Sequence, residues 1–563
     1  MRKWLFPLLL LLAGHAHGST YYVSDCAAGA AAQCVPGNDA NNGTSAVTPW
    51  RSCTKVTQRF PTLAAGDEVL FARGAAVATC QLYFLSNLNS RKDTPITLGA
   101  YTPPWAIGVP GAPILLGPTG TYTLGLLNSG RSTHDEGYRI QDLHFVGPGT
   151  SSQLPAIAIG NDVDNVTIER VEIEEHLGGI QCDGGTNNGQ GAGSDGLSEH
   201  IVIRDSSIHH NRGIGILVSC NDTLIENNRF DSNGVGMLDH HIYVDDAALN
   251  NVALTTTQVV IRGNTLTNNS PYASPSATRP TSGGCGATAI VVHGLKDGIV
   301  IENNTVSEPN VPRSGSCWGI SVDSGGYTGI YAREGFHNVA IRGNTVVNFS
   351  VGIGVDLCSN CTVENNSIYS EFAGGAAGVV APAKHFEASL PGNTLNSALT
   401  VRNNSIYLRN PNPHSVGIRL SRDGANHVVV SNLVYFGAGS TASTACFLTT
   451  GLTASAFKAF DNNLCYFSGT PGLWDGTRTL AAQQAAGLDL RSLNANPGLA
   501  PPLAPQFALT PATGSPALSA GHPTLSSKFG KGGVRRDTRP DIGASQPDAT
   551  VVVPSSPTGL TIQ

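Results

Sequence analysis

The chain has 563 residues, a formal charge of −7 and only 13% charged side chains. That charged share is about half the usual one, and the lack of any basic tract excludes nucleic acid as a partner. The 66 glycines suit tight turns better than long helices, and nothing after the N-terminus is apolar enough for insertion into a membrane.

The N-terminus reads as a targeting segment. Arg2 and Lys3 precede an apolar run, Leu5 to Leu12, and Ala16-His17-Gly18 offers small residues for cleavage. A signal peptide is therefore expected over residues 1–18, with the mature protein secreted or periplasmic and monomeric. Residues 19–115 read as an N-terminal cap with the first coils, 116–545 as a long repeat region, and 546–563 as a Pro/Ser-rich tail.

There are twelve cysteines, and an even count in an exported chain favours disulfides over metal sites. Proximity suggests Cys26 with Cys34, Cys53 with Cys80, Cys182 with Cys220, Cys285 with Cys317, Cys358 with Cys361 and Cys446 with Cys465. Cys358-Ser-Asn-Cys361 has the spacing of a redox motif, but without a βαβ context it reads as a loop staple.

One phrase recurs in the repeat region: VTIERVEI (166–173), IVIRDSSI (201–208), TLIENNRF (223–230), VVIRGNTL (259–266), IVIENNTV (299–306), VAIRGNTV (339–346), CTVENNSI (361–368) and LTVRNNSI (399–406), with a weaker copy, FDNNLCYF (460–467). Each copy alternates apolar and polar residues and then breaks at Asn or Gly, the pattern of a short strand and a turn. Asn228, Asn264, Asn304, Asn344, Asn366 and Asn404 share one position in the phrase. Stacked coils would bring these amides together as a ladder. A second short strand follows each copy, as in GIQCD (179–183), HIYVD (241–245), AIVVH (289–293) and GISVD (319–323). Two strands per coil with almost no helical pattern predict an all-β solenoid, a parallel β-helix, rather than a sandwich.

Aligning the second strands on their Ile or Val predicts that Ile242 and Val244 face inward, while Asp239, His241, Tyr243 and Asp245 face outward. One outward file then runs Asp183, Ser219, Asp245, His293, Asp323, Asp356, Pro382 and Ser421. Its carboxylates, on coils about 4.8 Å apart, require a use or a compensating ion. The neighbouring file carries Gln181, Tyr243, Ser321 and Arg419, and Tyr272, Trp318, Tyr327 and Tyr331 offer sugar-stacking surfaces in adjoining loops.

The repeats resemble those of the pectate-lyase-like superfamily of right-handed parallel β-helix proteins, over roughly residues 20–545. The segment TYYVSDC…AGDEVLFARG (20–74) is similar to the capped opening of many exported bacterial members, and FALTPATGSPALSAG…RRDTRPDIGA (507–544) to their closing coils. The resemblance implies a right-handed helix with disulfides and a polysaccharide as partner, and it leaves the activity open.

The first expectation for that activity is a lyase on a uronate-containing glycan. It would have His241 or His293 as base, Tyr243 as acid, and Asp239 and Asp245 beside them. Lys296, Arg333, Arg419 and Trp318 would bind substrate, and a Ca²⁺ held by Asp323 and Asp356 would neutralise the uronate. Asp239-His240-His241 resembles the Asp-Pro-His run of uronan epimerases but lacks the Pro. The alternatives are a glycoside hydrolase using paired Asp residues, and a non-catalytic surface protein that binds glycans or Ca²⁺.

Overall fold

The computed structural model describes residues 18–84, 87–127, 135–183, 198–236, 238–245, 256–269, 285–309, 317–324, 334–383, 397–420, 424–499 and 509–546. Its strands stack into three long parallel sheets of 14, 14 and 13 strands, with a fourth, four-stranded sheet beside the third. In chain order each coil visits the first sheet, the second and the third, and the next coil adds one strand to each. The result is a parallel β-helix.

Each coil thus carries three strands, where two are expected from the sequence. The recurring phrase is itself two strands joined by a sharp corner: VTIERVEI supplies the end of Val163–Glu169 in the first sheet and the start of Glu172–Glu174 in the second. The corner is made by one residue in the left-handed region, Asn227, Gly263, Asn303, Gly343, Asn365 or Asn403 in successive coils. Asn and Gly tolerate that conformation best. Gly263 and Gly343 have a further reason, since a Cβ there would meet Asn227 Oδ1 at 2.6 Å and Asn303 Oδ1 at 2.4 Å on the preceding coil.

The residue after each corner points inward and builds the ladder. Asn228 Nδ2 donates to Asn264 Oδ1 at 3.1 Å, and the steps through Asn304, Asn344, Asn366, Asn404 and Asn432 follow at 3.0 Å, ending at Asn463 at 3.1 Å. Each amide also donates to a main-chain carbonyl, as Asn304 does to Ile261 O at 2.9 Å, so these buried polar groups are satisfied inside the core. The ladder is two rungs longer than the six expected. Asn432 sits in a copy of the phrase that the sequence disguises as VVVSNLVYF (428–436).

Beside the ladder the interior is apolar. Ile180, Ile216, Ile242, Ile290, Ile320, Ile353, Val379 and Ile418 form one inward column of the third sheet, each at most 1% exposed. The helix Cys53–Arg59 is N-capped by Ser52 and adds Val56 to the same core cluster at the N-terminal end. A segment near the C-terminus returns along the outside, where Asn403 Nδ2 donates to Asp541 O at 3.1 Å and Ala544 N–H to Ser405 Oγ at 2.9 Å. All six expected disulfides are present and no cysteine is free. Among the described residues no helix is long and apolar enough to cross a membrane.

Candidate active site

The third sheet positions the candidate residues. Its register pairs Tyr243 with Val291, Val291 with Ser321, and Ser321 with Gly354. One step further along each strand, His293 N–H donates to Val244 O at 3.0 Å, Asp323 N–H to Val292 O at 3.1 Å and Asp356 N–H to Val322 O at 2.8 Å. Asp183, Ser219, Asp245, His293, Asp323, Asp356 and Pro382 therefore lie in one file, at the edge where the third sheet turns toward the fourth.

Within that file, His293 Nδ1 lies 3.0 Å from Asp323 Oδ1 and 2.7 Å from the Asp323 carbonyl oxygen. Asp323 is fully buried, and its other carboxylate oxygen accepts from Ser321 Oγ. With Nδ1 donating to Asp323, Nε2 is the basic nitrogen of the neutral ring. Tyr243, in the adjacent outward column, stands edge-on to His293 with ring centroids 5.4 Å apart. Trp318 belongs to a third outward column with Thr288 and Val351. It lies so close over Gly354 that a Cβ there would be 2.9 Å from the indole.

Four ionisable side chains are fully buried around this corner: Lys296, Asp323, Glu334 and Asp356. Lys296 Nζ donates to the Asp245 carbonyl at 2.8 Å, and Ser324 Oγ donates to Glu334 Oε2, joining the residues on either side of 325–333. Buried carboxylates persist only with charge or hydrogen-bond compensation, and here the Ser321 and Ser324 hydroxyls donate to Asp323 and Glu334.

Several sequence expectations change. His241 does not face outward: it is fully buried, with its ring 5.9 Å from Phe230. Its Nε2 donates to Thr267 O at 2.8 Å and its Nδ1 accepts from Asn233 Nδ2 at 3.2 Å, while burial lowers its pKa to about 4. The cause is a break in strict alternation. The residue before the aligned Ile turns inward as well, into a column holding Gly179, Gly215, His241, Ala289, Gly319, Gly352, Gly378 and Gly417. A Cβ on Gly319 would meet Val346 Cγ1 at 2.5 Å, and one on Gly352 would meet Ile368 Cγ2 at 2.5 Å. His240 takes the outward place instead, its Nδ1 donating to Thr288 O at 2.7 Å and its ring 5.4 Å from Tyr243. The Gly-Ile dipeptide repeated through the second strands carries that signal in the sequence.

Asp239 closes a turn, accepting from Val235 N–H at 2.9 Å and Gly236 N–H at 2.7 Å, and burial raises its pKa. Lys296 supports Asp245 from within rather than facing a groove. Arg419 occupies the Tyr243 column five coils further on, roughly 24 Å away at about 4.8 Å per coil, and burial lowers its pKa. Arg333, Ser421, Tyr272, Tyr327 and Tyr331 lie outside the described residues.

Three stacked parallel sheets with a ladder at one corner make a parallel β-helix, and the family model "Right handed beta helix region", which matches residues 135–317, gives it the right hand. Over 84 residues, 15% of this chain, the sequence is 38% identical to a lacto-N-biosidase of Bifidobacterium longum subsp. longum, a match that spans 5% of that protein's length. Among solved structures, the chain is similar to the GH136 lacto-N-biosidase from Eubacterium ramulus, with a TM-score of 0.44 and 15% identity, covering 73% of this chain and 68% of that one. It is also similar to a PL6 family polysaccharide lyase from Pseudopedobacter saltans, with a TM-score of 0.40 and 13% identity over 80% of this chain and 93% of that one.

Proposed function

We propose that the protein is an exported enzyme that cleaves an acidic polysaccharide laid along the outer face of the third sheet. The observation that carries this is the His293–Asp323 pair, an imidazole oriented by a buried carboxylate with a tyrosine ring beside it. In a lyase reaction His293 Nε2 takes the proton next to the uronate carboxylate. The electron pair forms the C4=C5 double bond, the C4–O bond breaks, and the Tyr243 hydroxyl protonates the leaving oxygen. Trp318 provides a ring face for a neighbouring sugar. A Ca²⁺ at Asp323 would compete with His293 and Ser321 for the same oxygens, so the acid–base pair is assigned no metal. Pairing of every cysteine suits an oxidising compartment.

A hydrolase is the second reading. Asp323 and Asp356 stand on adjacent coils, about 4.8 Å apart along the stack, near the roughly 5–5.5 Å separation of retaining enzymes. The 84-residue match to a protein named lacto-N-biosidase favours it.

Incubation with alginate, pectate, glycosaminoglycans and neutral oligosaccharides separates the two. Unsaturated ends absorbing in the ultraviolet support the lyase, and new reducing ends without that absorbance support the hydrolase. Neither product across the panel overturns both.

A further inference from the structure

A second cluster of chemistry-bearing side chains lies on the outer face of the second sheet, among neighbouring coils nearer the N-terminus. His144 pairs in register with Glu172, and Glu174 follows two residues later on the same face. Ser207–His209 is the next strand of that sheet. His144 Nε2 is 3.2 Å from Glu174 Oε1, and His209 Nε2 is 3.1 Å from Glu172 Oε1. The ring of contacts closes at 3.9 Å from His144 Nδ1 to Glu172 Oε2 and at 3.9 Å from His209 Nδ1 to Glu174 Oε2. Imidazoles and carboxylates thus alternate around a small quadrilateral.

The geometry points to a divalent transition-metal site: we propose that His144, Glu172 and Glu174 bind one Zn²⁺-class ion, with His209 beside them, 3.1 Å from Glu172. One donor atom from each of the first three lies within 4.8 Å of the others. Bonds of about 2.0–2.1 Å in a tetrahedral site place donors roughly 3.4 Å apart, close to the two short His–Glu contacts already present. Imidazole with carboxylate suits zinc and its neighbours, whereas Ca²⁺ takes oxygen donors. The side chains of His144, Glu174 and His209 are each 17% exposed, which leaves a path for entry without full solvation. A divalent ion neutralises both glutamates and ties two successive strands of the second sheet. It would therefore act on stability, while the groove proposed above lies on the third sheet.

The test uses the untagged full chain, stripped with chelator and titrated with ZnCl₂ at pH 7.5. One Zn²⁺ per chain, a raised melting temperature and a Co²⁺ derivative with imidazole–carboxylate absorption bands are expected. Ca²⁺ at millimolar concentration should not displace the zinc. Glu172 is the more exposed glutamate, so E172Q should fold, and it should bind Zn²⁺ at least tenfold more weakly. H144A should do the same, whereas H414A, at an exposed histidine elsewhere, should not. No zinc binding, binding undiminished in both E172Q and H144A, or displacement by Ca²⁺ would each overturn the site and leave simple His–Glu ion pairs.

Discussion

The Nδ1 atom of His293 lies 3.0 Å from Oδ1 of Asp323, one coil further along the third sheet. An imidazole held this way has its tautomer and orientation set by the scaffold, and it occupies a file that the register fixes independently. Replacement of His293 by Gln should lower turnover by about 10²–10⁴ on the responsive glycan, the usual size of a general-base contribution. Asp323→Asn should act in the same direction, because the main-chain carbonyl still holds Nδ1 at 2.7 Å but no carboxylate charge stabilises the imidazolium that forms when Nε2 takes the proton. Product absorbance under saturating substrate is the measurement, and H293Q retaining a third or more of the wild-type rate would sink the assignment.

His241 should behave as a core residue. Burial holds its pKa at about 4, below the ordinary 6.5. Between those values the unfolded chain takes up a proton that the folded one refuses, so stability falls as pH drops from 6.5 toward 4, by about 3 kcal/mol at full extent. H241N should lose part of that acid sensitivity while its turnover per folded molecule stays near wild type. Melting curves across pH 4–7.5 check the sign.

Glu308 has the opposite dependence. Burial pushes its carboxyl up from 4.5 to about 8, although it accepts a hydrogen bond from Asn269 N–H at 2.6 Å. Above pH 4.5 the unfolded chain releases the proton that the folded one keeps, so stability declines as pH rises toward 8. Glu308→Gln removes that penalty and retains an acceptor for Asn269. The variant should be the more stable protein at pH 8 by a few kcal/mol, roughly, and chemical denaturation at pH 5 and 8 should show the difference growing with pH.

The inward glycine column predicts a steric effect. At Gly352 a Cβ would lie 2.5 Å from Ile368 Cγ2 and 2.8 Å from Gly378 O. Gly352→Ala should destabilise by about 1–3 kcal/mol, the usual cost of overpacking. The double variant G352A/I368V should recover little stability, because valine removes only Cδ1, at 3.1 Å, while the Cγ2 and carbonyl contacts remain. Denaturant titration of the three proteins decides this.

A rung of the ladder should be equally sensitive. Asn304 Oδ1 accepts from both the main-chain N–H and the amide of Asn264. Asn304→Ala leaves those buried donors unsatisfied, at about 1–3 kcal/mol each. An unchanged unfolding midpoint would show that water had replaced the amide.

The solenoid and six of its eight asparagine rungs are legible in the sequence because the corner is short and tolerates few residues: one in the left-handed region, then one amide. Asn432 escapes because Ser431 stands where Asn or Gly marks the other copies. The file from Asp245 to Asp356 is legible because inward Ile and Val anchor its register. His241 is misplaced because strict alternation fails at the corner entering the third sheet, where two consecutive residues turn inward. Lys296 looks like a surface cation from sequence alone, since nothing local reveals that its strand belongs to a fourth sheet with a buried face. The convergence of His144, Glu172, Glu174 and His209 joins different coils, so it depends on a register that local pattern does not display.

From Asn228 to Asn463 successive rungs are separated by as few as 22 residues and as many as 40, yet the amides meet at 3.0–3.1 Å throughout. Contour length is therefore decoupled from axial rise. Each coil can gain or lose a dozen residues on its periphery without a neighbour sensing the change. Divergence can rebuild the rim one coil at a time while the spine keeps its pitch, so changes at the proposed binding face need not wait for compensating changes in the core.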